Sequence, residues 1–138
     1  MNVSREPRQR IEFGKDFDVA NDWHVLSGKK LARRQGSRQY VYLVIEGYDF
    51  DAANRDELSS TIKIGGLTIE PIVQVIDSNG EVFPTQDTVR WGAVIGFRLL
   101  KSVNGHTLTK DAGNIEIAIR SDEKFHCKSI GWSSRRLK

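Results

Sequence analysis

The chain has 138 residues, 38% of them hydrophobic and 28% charged, and a formal net charge of +3. That length suits one domain, and a composition this apolar with so little net charge excludes a disordered chain. No apolar run approaches the ~18 residues of a membrane-spanning helix, and the lone cysteine, Cys127, excludes an internal disulfide or a multi-cysteine zinc site.

Residues 1–10 are polar and basic, carry Arg5, Arg8 and Arg10, and read as a flexible arm without an apolar leader segment. Residues 11–138 read as a single domain, either self-standing or part of a longer parent chain. The missing leader and the single thiol lean toward a cytoplasmic setting. Ile11 and Phe13 start a first strand, and Trp23, Val25 and Leu26 belong to a second short apolar segment. A basic loop or helical turn follows from Gly28 to Ser37.

From Arg38 the alternation is clear. Val41, Leu43 and Ile45 share one face; Tyr40, Tyr42 and Val44 share the other. Both faces are apolar, which predicts a central strand. Residues 49–60 offer the one stretch with helical character, capped by Asp49 or Asp51. Gly65-Gly66 separates two short strand segments, and Ser78-Asn79-Gly80 marks a hairpin with a positive φ at Asn79 or Gly80.

Val89 to Leu100 is the longest apolar run and reads as one strand. Its alternation groups Val89, Trp91, Ile95, Phe97 and Leu99, which makes Trp91 a core residue. Gly92 and Gly96 fall on the opposite face and point to a bulge or a close approach. Asn104-Gly105 is a type I′ hairpin pair, and Ile115, Ile117 and Ile119 alternate as an inward face. In the last strand Phe125 and Cys127 have opposite parity to Ile130 and Trp132, so a bulge near Ser129 is expected to reset the register.

Seven to nine strands, at most one short helix and turns every 8–12 residues predict an all-β antiparallel β-sandwich, immunoglobulin-like or jelly-roll-like. A small β-barrel is the alternative, disfavoured by uneven strand lengths.

Nine Lys/Arg against six Asp/Glu in residues 1–46 and eight against four in residues 101–138 flank an acidic middle with four against eight. The basic groups define a candidate surface of Lys29, Lys30, Arg33, Arg34, Arg135 and Arg136. They contain almost no interleaved aromatics, so nucleic acid is not the expected partner. Asp49, Asp51 and Asp56 are candidate calcium ligands, although the EF-hand spacing is absent. Tyr40, Tyr42 and Trp132 are candidates for stacking on a ligand.

His126 and Cys127 are adjacent and point to opposite faces, so they do not share a metal. Cys127 shares its face with Phe125, which predicts a buried thiol rather than a nucleophile. There is no G-x-S-x-G, H-E-x-x-H or P-loop. The expected function is therefore a non-catalytic interaction module that binds another protein, with no cofactor other than calcium in prospect. A carbohydrate- or anionic-lipid-binding module, calcium-assisted or not, is the alternative.

Overall fold

The computed structural model describes residues 9–33, 37–47, 62–100 and 102–136, with Arg135 and Arg136 by backbone only. It is all-β, with no helix among the described residues. Eight strands make one antiparallel sheet: β1 (Gln9–Val19), β2 (His24–Lys30), β3 (Ser37–Ile45), β6 (Ile72–Ile76), β7 (Val82–Trp91), β8 (Val94–Leu99), β11 (Gly113–Arg120) and β12 (Phe125–Arg136). Their spatial order is β1-β12-β3-β8-β7-β6-β11-β2. Two short hairpins complete the described chain, β4 (Ile62–Ile64) with β5 (Leu67–Ile69), and β9 (Ser102–Val103) with β10 (His106–Thr107). The expected helix of residues 49–60 lies outside the described residues.

The sandwich expectation is corrected here. A sandwich needs two separate sheets, whereas this sheet is continuous and curls until β1 and β2 meet as a nearly closed barrel. The curl comes from long strands bent by bulges. Register shifts fall between Glu12 and Gly14, between Thr85 and Thr88, and between Cys127 and Ser129. Each inserts extra residues on one strand and tightens the local twist. The long strand β7 also serves two neighbours: Phe83 and Pro84 pair with β6, while Thr88 to Trp91 pair with β8. Uneven strand lengths, which argued against a barrel in the sequence, are thus part of how it closes.

Side chains rather than a ladder seal the β1–β2 seam. The Leu26 side chain lies over Gly14, the Phe13 ring lies over Gly28, and the Phe17 and His24 rings stack with centroids 4.1 Å apart. A β carbon at Gly28 would come within 2.8 Å of the Phe13 ring and would have to push it aside.

The interior follows the predicted alternation. Val41, Leu43 and Ile45 on β3, and Ile115, Ile117 and Ile119 on β11, all point into the core. The bulge at Ser129 allows Phe125 and Cys127 to share the interior with Ile130 and Trp132 despite their opposite parity. Ile62 and Ile69 of the β4–β5 hairpin join the core, as does Leu108 beyond β10. The type I′ pair has the expected positive φ values, 51° at Asn104 and 79° at Gly105, and Gly80 has φ 82°.

The run from Val89 to Leu100 is two strands rather than one. Gly92, at φ 62°, reverses the chain after Trp91. Trp91 then pairs with Val94 and Val89 with Gly96, on the outer face, while Ile95, Phe97 and Leu99 point inward. Trp91 is therefore not a core residue. Its ring packs on Gly96, where a β carbon would sit 2.6 Å from it, and meets Tyr40 edge-on at 4.9 Å.

Candidate binding surfaces

The predicted stacking trio does not form a platform. Trp132 is fully buried inside the barrel, and Tyr40 and Tyr42 lie on the outer face of β3 but are covered. Tyr40 is capped by Trp91, and Tyr42 lies beneath Arg10, whose guanidinium is 4.7 Å from the ring centroid. Ser129 Oγ donates to Glu12 at 2.7 Å, and the Tyr42 hydroxyl lies 3.1 Å from that same Oγ, placed to donate to it. Burial raises the Tyr42 phenol above its ordinary range. These contacts spend the tyrosines on structure.

The basic surface also divides. Strand alternation sends Lys29 outward and Lys30 inward. Lys30 is 1% exposed; its Nζ donates to the Leu31 carbonyl at 3.3 Å and lies 5.7 Å from the Trp132 ring centroid. Burial, and then the charge of Arg33, push the Lys30 ammonium below its ordinary pKa, while Asp111 acts against them. Lys30 is thus an interior cation and not surface. Arg34, Asp49, Asp51 and Asp56 lie outside the described residues. Arg135 and Arg136 are placed by backbone, opposite Arg38 and Ser37.

What the fold does gather is a hollow of about 280 Å³ at the barrel end where β3 begins and β8 finishes. Arg33, Arg38 and Arg98 line it, above the leucines Leu99, Leu100 and Leu108. Arg98 pairs with Tyr40, so Arg38 and Arg98 are diagonal neighbours on adjacent strands. Arg33 is held by its backbone, whose N–H donates to the Lys110 carbonyl at 2.7 Å. Gln39 and Gln86 complete the wall. Gln39 Nε2 donates to the Leu31 carbonyl at 3.3 Å, the oxygen that also takes the Lys30 hydrogen bond. Among the described residues no carboxylate stands in ion-pair range of the three arginines.

A second surface lies on the far side of the barrel. Trp23, Val25, Ile72 and Val82 are 42%, 48%, 47% and 41% exposed. Register places Val25, Ile72 and Val82 on one outer face but in different rows: Val25 pairs with Ala118, Ala118 with Gln74 and Gln74 with Pro84, whereas Ile72 pairs with Arg120 and Val82 with Ile76. Trp23 stacks over Arg120, whose guanidinium is 5.1 Å from the ring centroid, and Arg120 pairs with Ile72. The sequence signal was a strand apolar on both faces. Val73 and Val75 fill the core, while Ile72 and Ile76 remain on the other side.

A further titratable cluster among the described residues is on β1 and β12. His126 Nδ1 is 3.0 Å from Asp18 and its Nε2 is 3.6 Å from Asp16, while Lys124 is 3.4 Å from Asp18. The hydrogen bond to Asp18 raises His126, and the same bond, followed by Lys124, lowers Asp18. On the opposite face Cys127 is buried, and desolvation pushes its thiol up to about 12.

No protein-family model matches the chain, nor does any curated protein or solved structure match it. Fold class and local geometry are therefore the grounds for a functional reading.

Proposed function

We propose that this chain is a non-catalytic interaction module that binds another protein through the outer face of β2, β11, β6 and β7. One observation carries the reading: Trp23 and Ile72 stand exposed beside Arg120, with Val25 and Val82 exposed further along the same outer face. Exposed apolar clusters of this kind mark interaction sites, whereas scattered single residues do not. The composition fits a protein partner. A tryptophan stacked on an arginine, with aliphatics beside them and Glu116 and Lys29 at the margin, matches the residue types that dominate protein interfaces. A sugar platform needs several exposed rings, and the described residues of this face offer one large ring, Trp23. The anchor residues are Trp23 and Ile72.

The test is affinity capture with the full chain, comparing wild type with Val25→Asp/Ile72→Asp and with Lys63→Gln as an off-face control. A partner retained by wild type and by the control, and bound at least about thirtyfold more weakly by the double variant, supports the assignment. Equal retention by all three refutes it. Self-association abolished by the double variant reassigns the face to a second copy of this chain.

A further inference from the structure

We propose that the hollow at the Gln39 end of the barrel binds a small organic anion, its carboxylate or phosphate head on Arg33, Arg38 and Arg98 and its apolar body on Leu99, Leu100 and Leu108. The site is separate from the outer apolar face, and its test is independent of that reading.

Three features of the hollow converge on an anion. First, three arginines from three segments line one cavity without an acidic partner in range among the described residues. Like charges brought together repel, and each half-buried arginine gives up some water. A fold keeps such a cluster at little benefit to its own stability. The charge is instead useful to a ligand with oxygen acceptors, because the planar guanidinium fork grips carboxylate or phosphate through two parallel hydrogen bonds.

Second, the positive field extends inward. The buried Lys30 is joined to Gln39, which lines the hollow, through the shared Leu31 carbonyl. Among the described residues it has no carboxylate within ion-pair distance, and Asp111 acts on it from further away. A concave, low-dielectric pocket focuses this potential at its mouth.

Third, the leucines select the rest of the ligand. Leu99 and Leu108 are almost fully buried, and Leu100 is half-buried beside them. A nucleic acid backbone or a lipid surface presents its phosphates on a convex or planar array, which suits an exposed basic ridge. Charge converging on an apolar-floored hollow suits a discrete molecule. The volume of about 280 Å³ sits at the lower edge of the ~300–1,000 Å³ typical of small-molecule sites. The ligand is therefore compact, with one charged head and a short apolar body. Barrel mouths are among the places where such sites form.

The experiment is calorimetric and thermal titration of the full chain at fixed ionic strength. The probes are inorganic phosphate, phenyl phosphate, benzoate and hexanoate, with benzyl alcohol as the uncharged control. Expected is saturable binding of at least one organic anion, tighter than inorganic phosphate and absent for benzyl alcohol. The phosphate and carboxylate arms then distinguish the head group. Arg98→Gln should weaken binding about tenfold, and Arg38→Gln/Arg98→Gln should abolish it, while Lys63→Gln leaves it unchanged. Neither arginine makes an ion pair in the described structure, so the unliganded melting temperature should hold or rise in both variants. Arg98→Lys, which keeps the charge but not the fork, should fall between wild type and Arg98→Gln. The proposal is overturned by the absence of saturable binding to any of these anions, by binding of inorganic phosphate alone, or by equal binding in the double variant.

Discussion

Gly131 is where the barrel tolerates least. It lies on β12 between β1 and β3, paired with Glu12 on one side and Tyr42 on the other. A β carbon at this position would collide with the Ile11 carbonyl oxygen and lie 2.8 Å from Cε2 of Tyr42. In an ordinary strand interior, glycine to alanine gains roughly 0.5–1 kcal/mol from reduced chain entropy. Here the obstacle is backbone, which yields only if the β1–β12 ladder opens locally. Overpacking costs typically 1–3 kcal/mol, and one or two ladder hydrogen bonds at about 1 kcal/mol each add to that. The net expectation for Gly131→Ala is a loss of about 2–4 kcal/mol. For a domain of this size that lowers the melting temperature by roughly 8–15 °C. Gly14→Ala is the matched comparison. Its β carbon would sit 2.6 Å from the Leu26 Cδ2, a side-chain tip that can rotate away, so it should cost less than half as much. Urea and thermal unfolding of both variants measure the difference. A Gly131→Ala protein within about 0.5 kcal/mol of wild type, or no less stable than Gly14→Ala, would refute the claim that β1 and β12 approach each other through this glycine.

Two further outcomes follow from the ionisable groups. Cys127 is buried with its thiol pushed up to about 12, so a thiol reagent at neutral pH should label it slowly in the folded protein and fast in urea; rapid native labelling would place the sulfur at the surface. The His126–Asp18 contact makes stability depend on pH in a defined direction. His126 is raised above 6.5 and Asp18 lowered below 3.8, so their contribution is complete between those values. It is lost as pH rises through the raised histidine pKa and, at the acid end, as pH falls through the lowered aspartate pKa. His126→Gln should therefore flatten the decline of the urea midpoint as pH rises above 6.5, and an unchanged decline would show that other groups govern it.

Much of the fold was legible because a half-buried strand has a strict period of two. That period named Val41, Leu43, Ile45 and the three isoleucines of β11 as core, and its break between Cys127 and Ile130 located the bulge at Ser129. Local turn chemistry was equally readable, because Asn104, Gly105 and Gly80 occupy positive φ values that few other residues accept. Trp91 shows where the period misleads. Gly92 turns the chain, and a residue in phase with the core along the sequence emerges on the other side of the sheet.

The amino-acid sequence by itself determined the all-β class, the hairpin turns and most of the core, since these depend on side-chain polarity and on φ preferences a few residues apart. Only the tertiary structure decided that one sheet curls into a barrel, because curvature arises from bulges and pairings between strands far apart in the chain. It also decided which charges and apolar groups meet. Arg38 and Arg98 line one hollow because β3 and β8 are neighbours in the sheet, and Trp23, Val25, Ile72 and Val82 share one outer face because β2, β11, β6 and β7 are consecutive in it. Lys29 and Lys30, adjacent in the chain, part for the same physical reason: successive side chains on a strand face opposite ways, and closing the sheet turns one way into the interior and the other into solvent.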